Sequence, residues 1–373
     1  MYVSQLSLRD FRNYSHADIE LRAGVTIFQG SNGQGKTNLV EAIEYLSRLG
    51  SHRVSSDIPL VKSGSSQAII RSLVRASLND PRSLLLEVEL NAHRANRARI
   101  NRGELPKMTD LLGALRTVVF SPEDLLIVKS DPATRRAFID DLVIARWPRM
   151  LGVKHDYERV LKQRNVLLKS MQKSHVVDDD ILDVWDEQLT RFGAELLAAR
   201  LDTLAELNEP MCSSYATIAP RNNRVNALYR PSFNLPDNPS DLEDAFASAL
   251  RERRQDECIR AMTLIGPHRD DISLMIGDLP AKGYASHGES WSLALAIRLA
   301  AFHLLRADGI EAVLILDDVF AELDAIRRER LADAVLDAEQ LLITAAVASD
   351  IPSSMTGQHF HVEMGHVEKV DDE

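Results

Sequence analysis

Apolar positions along this chain change their period twice. Val3, Leu6 and Leu8 alternate with polar residues, as do Leu84, Leu86, Val88 and Leu90, the two-residue rhythm of half-buried strands. Arg99-Ile100 followed by Asn101-Arg102-Gly103 reads as a hairpin, and Val118-Val119-Phe120 as a buried strand ending at Ser121-Pro122. From about residue 131 the apolar spacing becomes three, four and seven. Val153, Tyr157, Val160, Leu161, Leu167, Leu168 and Met171 predict one helix. Leu182, Trp185, Leu189, Phe192 and Leu196, continuing toward Leu204, predict a second, with a polar break over 175–180. Residues 222–241, rich in Pro, Asn and Ser, read as loop, and 242–260 as a third helix. The strand pattern returns at 272–276. A helix over about 290–306 follows, then apolar runs at 312–316 and 341–344, and an acidic tail from His366 expected to be mobile. The expected architecture is α/β: a head from 1–130 and 261–373, with a helical arm inserted over 131–260.

The chemistry starts at Gly30-Ser31-Asn32-Gly33-Gln34-Gly35-Lys36-Thr37. This run follows the apolar segment 25–28 and opens a helical pattern at Leu39, Val40, Ile43, Leu46 and Leu49. Strand, glycine loop and helix, in that order, make a phosphate-binding loop. Glycines let backbone N–H groups turn inward around a polyphosphate, and the helix N-terminus adds partial positive charge. Lys36 has the reach for β- and γ-phosphates, and the Thr37 hydroxyl is a ligand type for Mg²⁺. A glycine-rich turn before an ordinary helix could share some of these letters, but the full context argues for ATP or GTP binding.

A second half-site lies near the C-terminus. Val313-Leu314-Ile315-Leu316-Asp317-Asp318 is a buried strand ending in two acids, which places carboxylates at the ligand-binding edge of a parallel sheet. Asp317 is the candidate Mg²⁺ ligand and Asp318 the candidate to orient the attacking water. Ala321-Glu322-Leu323-Asp324 follows as an acidic loop. Upstream, Ser286-His287-Gly288-Glu289 leads into a helix whose N-terminus would attract an anion, although an ordinary N-cap would read the same way.

Composition narrows the partners. The chain has 373 residues, 45% hydrophobic and 27% charged, which suits globular domains. A formal net charge of -11 rules out a broadly basic surface, so any nucleic-acid contact must be local and salt-sensitive. Cys212 and Cys258 are the only cysteines, too few for a disulfide framework or a zinc cluster. The N-terminus lacks a signal-peptide pattern and no run of about 18 apolar residues occurs, so a cytoplasmic protein is expected.

Taken together, these motifs resemble the ABC-type ATPases of DNA maintenance, which include the SMC heads, and within them the RecF family. The resemblance runs nearly end to end. It rests on Leu8-Arg9-Asp10-Phe11-Arg12-Asn13-Tyr14, the phosphate loop, Gly50-Ser51-His52-Arg53, the block 120–125, Asp131-Pro132, and 135–140. Gly266-Pro267-His268-Arg269-Asp270-Asp271, the signature-like Ser286 to Glu289, and Asp317-Asp318 with Glu322-Leu323-Asp324 complete it. The resemblance implies ATP sandwiched between two copies, with Ser286 and Gly288 of one touching the γ-phosphate held by the other, and Arg12 near the phosphates. It further implies a slow, DNA-stimulated ATPase and a nucleoid-associated clamp on single-stranded, gapped and junction DNA. Such a clamp would act with RecR and RecO-type mediators to load the recombinase and support SOS induction.

Several departures stand out. His287 and Glu289 replace the usual Gly and Gln, Asp318 stands where transporters carry Glu, and neither a glutamine in 120–125 nor a histidine beside Thr344 is present. Alternatives were a transporter ATPase subunit, a small-molecule kinase and a non-hydrolysing DNA-binding scaffold. The roughly 250 residues between phosphate loop and signature argue against the first. Residues 131–260 are too few for a long tethering coiled coil. Candidate DNA contacts are Arg94, Arg97, Arg99, Arg102, Arg135, Arg136, Lys162, Arg164 and Lys169, although an ordinary solvated charge would read the same way at each.

Overall fold

A computed structural model describes residues 1–174, 178–219 and 224–370. By compactness the chain falls into two units. One comprises Met1–Leu125, Pro210–Asn223 and His287–Glu373, and the other Leu126–Glu209 and Arg224–Ser286. These boundaries differ from the expected 130/131 and 260/261, because 210–223 join the first unit and 261–286 the second.

The first unit holds two six-stranded sheets. Strands β1 (Tyr2–Phe11), β2 (Tyr14–Glu20), β4 (Gln67–Ser77), β5 (Asp80–Asn91), β6 (Arg97–Ile100) and β7 (Gly103–Glu104) form an antiparallel sheet in the order β2-β1-β4-β5-β6-β7. The second sheet contains β3 (Gly24–Gln29), β8 (Thr117–Phe120), β12 (Val313–Asp317), β13 (Gln340–Ala345), β14 (Gly357–Glu363) and β15 (His366–Val370), ordered β15-β14-β3-β13-β12-β8. All its pairs are parallel except β14 with β15. Helix α1 (Lys36–Arg48) contributes Leu39, Val40 and Ile43 to an apolar cluster. That cluster also takes Leu6 and Leu8 from the antiparallel sheet and Ile315 and Leu342 from the parallel one. β12 and β13 are buried at every position, as strands covered on both faces must be. The unit also carries α8 (His287–Ala307) and α9 (Ala325–Val335).

The second unit is mainly helical. Its helices are α3 (Pro132–Arg146), α4 (Met150–Ser174), α6 (Leu242–Arg260) and the short α7 (Ala281–Tyr284). Helices α2 (Leu125–Lys129) and α5 (Asp179–Ile218) each cross a unit boundary, α5 at Pro210. Strands β9 (Val225–Arg230), β10 (Asp271–Ile276) and β11 (Leu279–Pro280) make a small antiparallel sheet. Among the described residues no helix is long and apolar enough to cross a membrane.

Three expectations are corrected. Residues 222–241 do not form loop throughout, because β9 lies within them, pairing with β10 and burying Val225 and Ala227. Its alternation covers only six residues, and the surrounding Pro and Asn masked it. The tail from His366 is β15 as far as Val370, held by backbone pairing to β14. Its side chains are mostly exposed, so no apolar alternation announced it. Helix α8 begins at His287 rather than Ser290, which puts Gly288 and Glu289 in its first turn. Residues 175–177 of the polar break, 222–223 of the expected loop and the last acids, 371–373, lie outside the described residues.

Buried polar networks tie the second unit together. Arg164 is fully buried. Its Nε donates to Asp186 Oδ1 at 2.6 Å, its Nη1 to Thr263 Oγ1 at 2.9 Å, and its Nη2 lies 2.7 Å from Glu257 Oε2. It therefore cannot touch DNA, correcting that candidacy. Arg200 donates to both oxygens of Asp140, at 2.7 and 3.0 Å, and to the Pro267 carbonyl at 2.7 Å. Tyr229 Oη donates to Asp270 Oδ2 at 2.8 Å.

His268 belongs to this interior. Tyr157 Oη lies 2.7 Å from its Nδ1, and its Nε2 lies 3.3 Å from the Thr263 carbonyl. A neutral ring satisfies both contacts, accepting at Nδ1 and donating from Nε2. Burial pushes its pKa down from 6.5 to about 4. An unfolded chain thus takes up a proton near pH 6.5 that the folded one refuses until about pH 4. Stability falls as pH drops through that window, by up to about 3 kcal/mol. Urea midpoints from pH 7 to 4 should show this slope, and His268→Gln should flatten it. An equal slope in the variant would remove His268 as the cause.

Candidate nucleotide site

The phosphate loop connects β3 to α1 and is fixed by its neighbours. At Gly30 a Cβ would come within 2.1 Å of the Val362 carbonyl oxygen. Gly35 has φ 118°, and a Cβ there would meet Asn13 and Tyr14 side-chain atoms at 2.6–2.9 Å. Only glycine fits both positions. Asn13 Nδ2 donates to the Gln34 carbonyl at 2.9 Å and Tyr14 Oη to the Gly35 carbonyl at 3.0 Å. From the other side, Met364 N donates to Gln34 Oε1 at 2.7 Å and Gly365 N to the Gln34 carbonyl at 3.2 Å. The loop is thus held between the β1–β2 and β14–β15 turns.

No side chain caps the N-terminus of α1, where Gly35 is the N-cap. Its first amides are left for an anion. Lys36 is buried, with Nζ 3.3 Å from the Ser31 carbonyl and 3.5 Å from Asn32 Oδ1, so its ammonium lies against the loop. Thr37 Oγ1 donates to Asp317 Oδ1 at 2.8 Å, joining the phosphate loop to the end of β12. Thr344 Oγ1 on β13 donates to the same oxygen at 2.6 Å. Thr344 Oγ1 also accepts from the Asp318 amide at 2.9 Å. Burial raises the Asp317 pKa, and the Thr344 and Thr37 hydroxyls act against that rise. Asp318 sits at φ 52°, in the left-handed region, with Oδ1 buried and without a protein partner.

The structure thereby brings Gly30 to Thr37, Asp317 and Asp318 into one site. Arg12, also left-handed at φ 54°, is placed differently from a free phosphate ligand. Its guanidinium is bidentate on buried Glu41, at 2.8 and 2.6 Å, one helical turn beyond Thr37. Arg53 Nη1 joins that carboxylate at 3.4 Å and Asn38 Oδ1 at 2.9 Å. Sequence reading passed over Glu41, although its four-residue spacing from Thr37 sets both on one helix face.

Ser286, immediately before α8, is exposed, and Gly288 lies in the first turn of that helix. A Cβ at Gly288 would come within 2.8 Å of Arg327 Nη2. Arg327 Nε also donates to Ser292 Oγ at 2.9 Å, and Arg327 pairs with Asp324. The acidic loop after β12 is therefore tied to the start of α8 through an arginine the sequence reading missed. In block 120–125, Asp124 accepts from Arg298 of α8 at 2.9 and 2.6 Å.

The suspected basic hairpin is largely neutralised. Arg94 pairs with Glu89, Arg99 with Glu87, and Arg97 lies 3.9 Å from Glu104. Arg135 is buried on Asp271, and Arg136 donates to the Asp270 carbonyl at 2.8 Å. Lys162 and Lys169 are exposed.

Residues 2–365 match the family described as the RecF/RecN/SMC N terminal domain. The chain is 57% identical over 385 residues to the DNA replication and repair protein RecF of Cutibacterium acnes, covering 98% of each. It is 54% identical over 376 residues to its Streptomyces avermitilis counterpart, covering 99% of this chain and 100% of that one. Among solved structures it superimposes on the recombination mediator protein RecF-ATP of the RecFOR pathway with a TM-score of 0.91 at 29% identity, covering 99% of this chain and 98% of that one. An SMC head bound to the C-winged helix domain of ScpA gives a TM-score of 0.59 at 16% identity, covering 99% and 97%, a likeness of fold alone. With its ABC-type ATPase fold and its phosphate loop joined to the Asp317 carboxylate of β12, the chain belongs to the RecF family of DNA replication and repair proteins.

Proposed function

We propose that this chain binds ATP at the phosphate loop and that two copies close around the bound nucleotides to grip DNA. The observation that carries this reading is the Thr37–Asp317 junction, which joins the phosphate loop to the carboxylate at the end of β12. The exposure of Ser286 leaves it accessible to a second copy. ATP then favours the dimer through contacts that exist only when both copies meet, and hydrolysis releases it. Hard oxygen donors on Thr37 and Asp317, with the unpartnered Asp318 Oδ1 nearby in sequence, fit Mg²⁺, which would neutralise phosphate charge. Asp318 is the proposed residue for orienting water, in a slow DNA-stimulated hydrolysis.

In this reading 1–130 and 261–373 work as the head and 131–260 as the arm. The DNA is single-stranded, gapped or at a junction, the partners are RecR and RecO-type mediators, and the setting is the cytoplasm at the nucleoid. The solved RecF-ATP relative supports the nucleotide assignment. Sedimentation with and without ATP tests the clamp: dimers are expected for the parent chain with ATP, and none for Lys36→Met or Ser286→Arg. A dimer indifferent to nucleotide would remove the clamp.

A further inference from the structure

The segment after α1 carries an imidazole that the site described so far does not use. Helix α1 ends at Leu49, whose φ of 56° turns the chain back. Residues 51–53 then run along the helix toward the phosphate loop, because Ser51 Oγ donates to Glu41 Oε1 and Arg53 Nη1 reaches Asn38. His52 sits between these anchors. Its Nδ1 lies 2.5 Å from Glu44 Oε2, and the side chains of His52 and Glu44 are only 12% and 2% exposed. Thr37, Glu41 and Glu44 follow the helical spacing of four and three, so His52 is supported from the face of α1 that carries Thr37.

The other ring nitrogen, Nε2, is buried and has no partner. A buried polar atom in this position calls for an explanation. Carboxylates acting on the ring electrostatically include Glu44 on α1, Asp317 at the end of β12 and Glu123 after β8. Arg48 shares Glu44, at 3.0 Å. Burial works against a charged ring, but the Glu44 hydrogen bond and these carboxylates outweigh it and favour the protonated form; with Nδ1–H given to Glu44 the remaining nitrogen is an N–H donor. A buried donor within electrostatic reach of Asp317, the carboxylate that Thr37 of the phosphate loop holds, suits an added anion, and on the nucleotide reading that anion is the end of the phosphate chain.

We propose that His52, oriented by Glu44, donates its Nε2–H to a terminal-phosphate oxygen of the bound nucleoside triphosphate. Residues 50–53 then distinguish a triphosphate from a diphosphate within a single copy of the chain. The inference rests on the nucleotide reading above and adds to it a residue that senses the third phosphate.

The test compares affinities for a non-hydrolysable ATP analogue and for ADP, both with Mg²⁺, by competition against a fluorescent nucleotide. His52→Phe keeps the ring and removes the donor. It should weaken the analogue about tenfold, the scale of a hydrogen bond to a charged group, and leave ADP within about twofold. His52→Gln, whose amide nitrogen can donate from a similar distance, should recover most of the loss. If the Phe variant fails to give a cooperative melt, His52→Ala takes its place with the same expectation. Equal weakening of both nucleotides, or no weakening of either, overturns the proposal while leaving the phosphate-loop reading intact. A parent chain that binds neither nucleotide overturns both.

Discussion

Asp317→Asn is expected to cut ATP hydrolysis by at least about 100-fold, the scale of losing one preorganised electrostatic group, without destabilising the nucleotide-free protein. The two effects separate because the hydrogen bonds that Asp317 accepts do not require its charge, whereas the proposed metal ligation does. Asp317 Oδ1 accepts from Thr37 and Thr344, and an asparagine carbonyl oxygen can accept both bonds equally well. Burial raises the Asp317 pKa, with Asp318 adding to the rise. A folded-state pKa above the unfolded one means that ionisation works against folding. This group's stabilising contribution is present at low pH and is lost as pH rises above the ordinary carboxyl value of 3.8. At neutral pH, Asn removes that penalty. ATPase assays and urea melts without nucleotide or metal would check both halves. A variant that hydrolyses ATP at the parent rate, or that melts earlier, would contradict this account of the site.

How much of this site could be read from the sequence depended on whether its residues are neighbours along the chain. The phosphate loop and the acidic end of β12 were legible because each is a local strand-to-loop pattern. The clamp on Gln34 was not, since Asn13, Met364 and Gly365 come from turns at opposite ends of the chain. Arg12 was identified by motif, but its partner Glu41 lies 29 residues away on α1, and no local pattern joins the two. Helix periodicity located α4 and α6 well, because each presents its apolar positions repeatedly over several turns. β9 escaped because its alternation spans only six residues among Pro and Asn, and β15 because backbone pairing to β14, rather than side-chain burial, holds it. Counting arginines misled for a related reason. The cluster at Arg94, Arg97 and Arg99 looked basic until the register of β5 against β6 set Glu87 and Glu89 opposite it.

Arg164→Met is expected to cost the second unit about 3–5 kcal/mol, because it removes one partner from a buried ionic cluster and leaves the carboxylates. Asp186 keeps Arg254, whose Nη2 donates to its Oδ2 at 2.8 Å, so Glu257 bears most of the loss. Burial already raises the Glu257 pKa even with Arg164 beside it, and removing the guanidinium raises it further. A carboxyl with a raised folded pKa is favoured in its protonated form, so the deficit between variant and parent should shrink as pH falls from 7 toward 5. Because Arg164 also holds the His268 pKa down, the comparison is made in a His268→Gln background, which removes that ring's acid sensitivity from both proteins. Adding Glu257→Met to Arg164→Met should restore much of the stability at pH 7, since a paired apolar replacement leaves no stranded charge. Urea melts of the parent, the single and the double variant at both pH values decide the matter. A deficit independent of pH, or a double variant no better than the single, would show that Arg164 acts through packing or its bond to Thr263 rather than through charge.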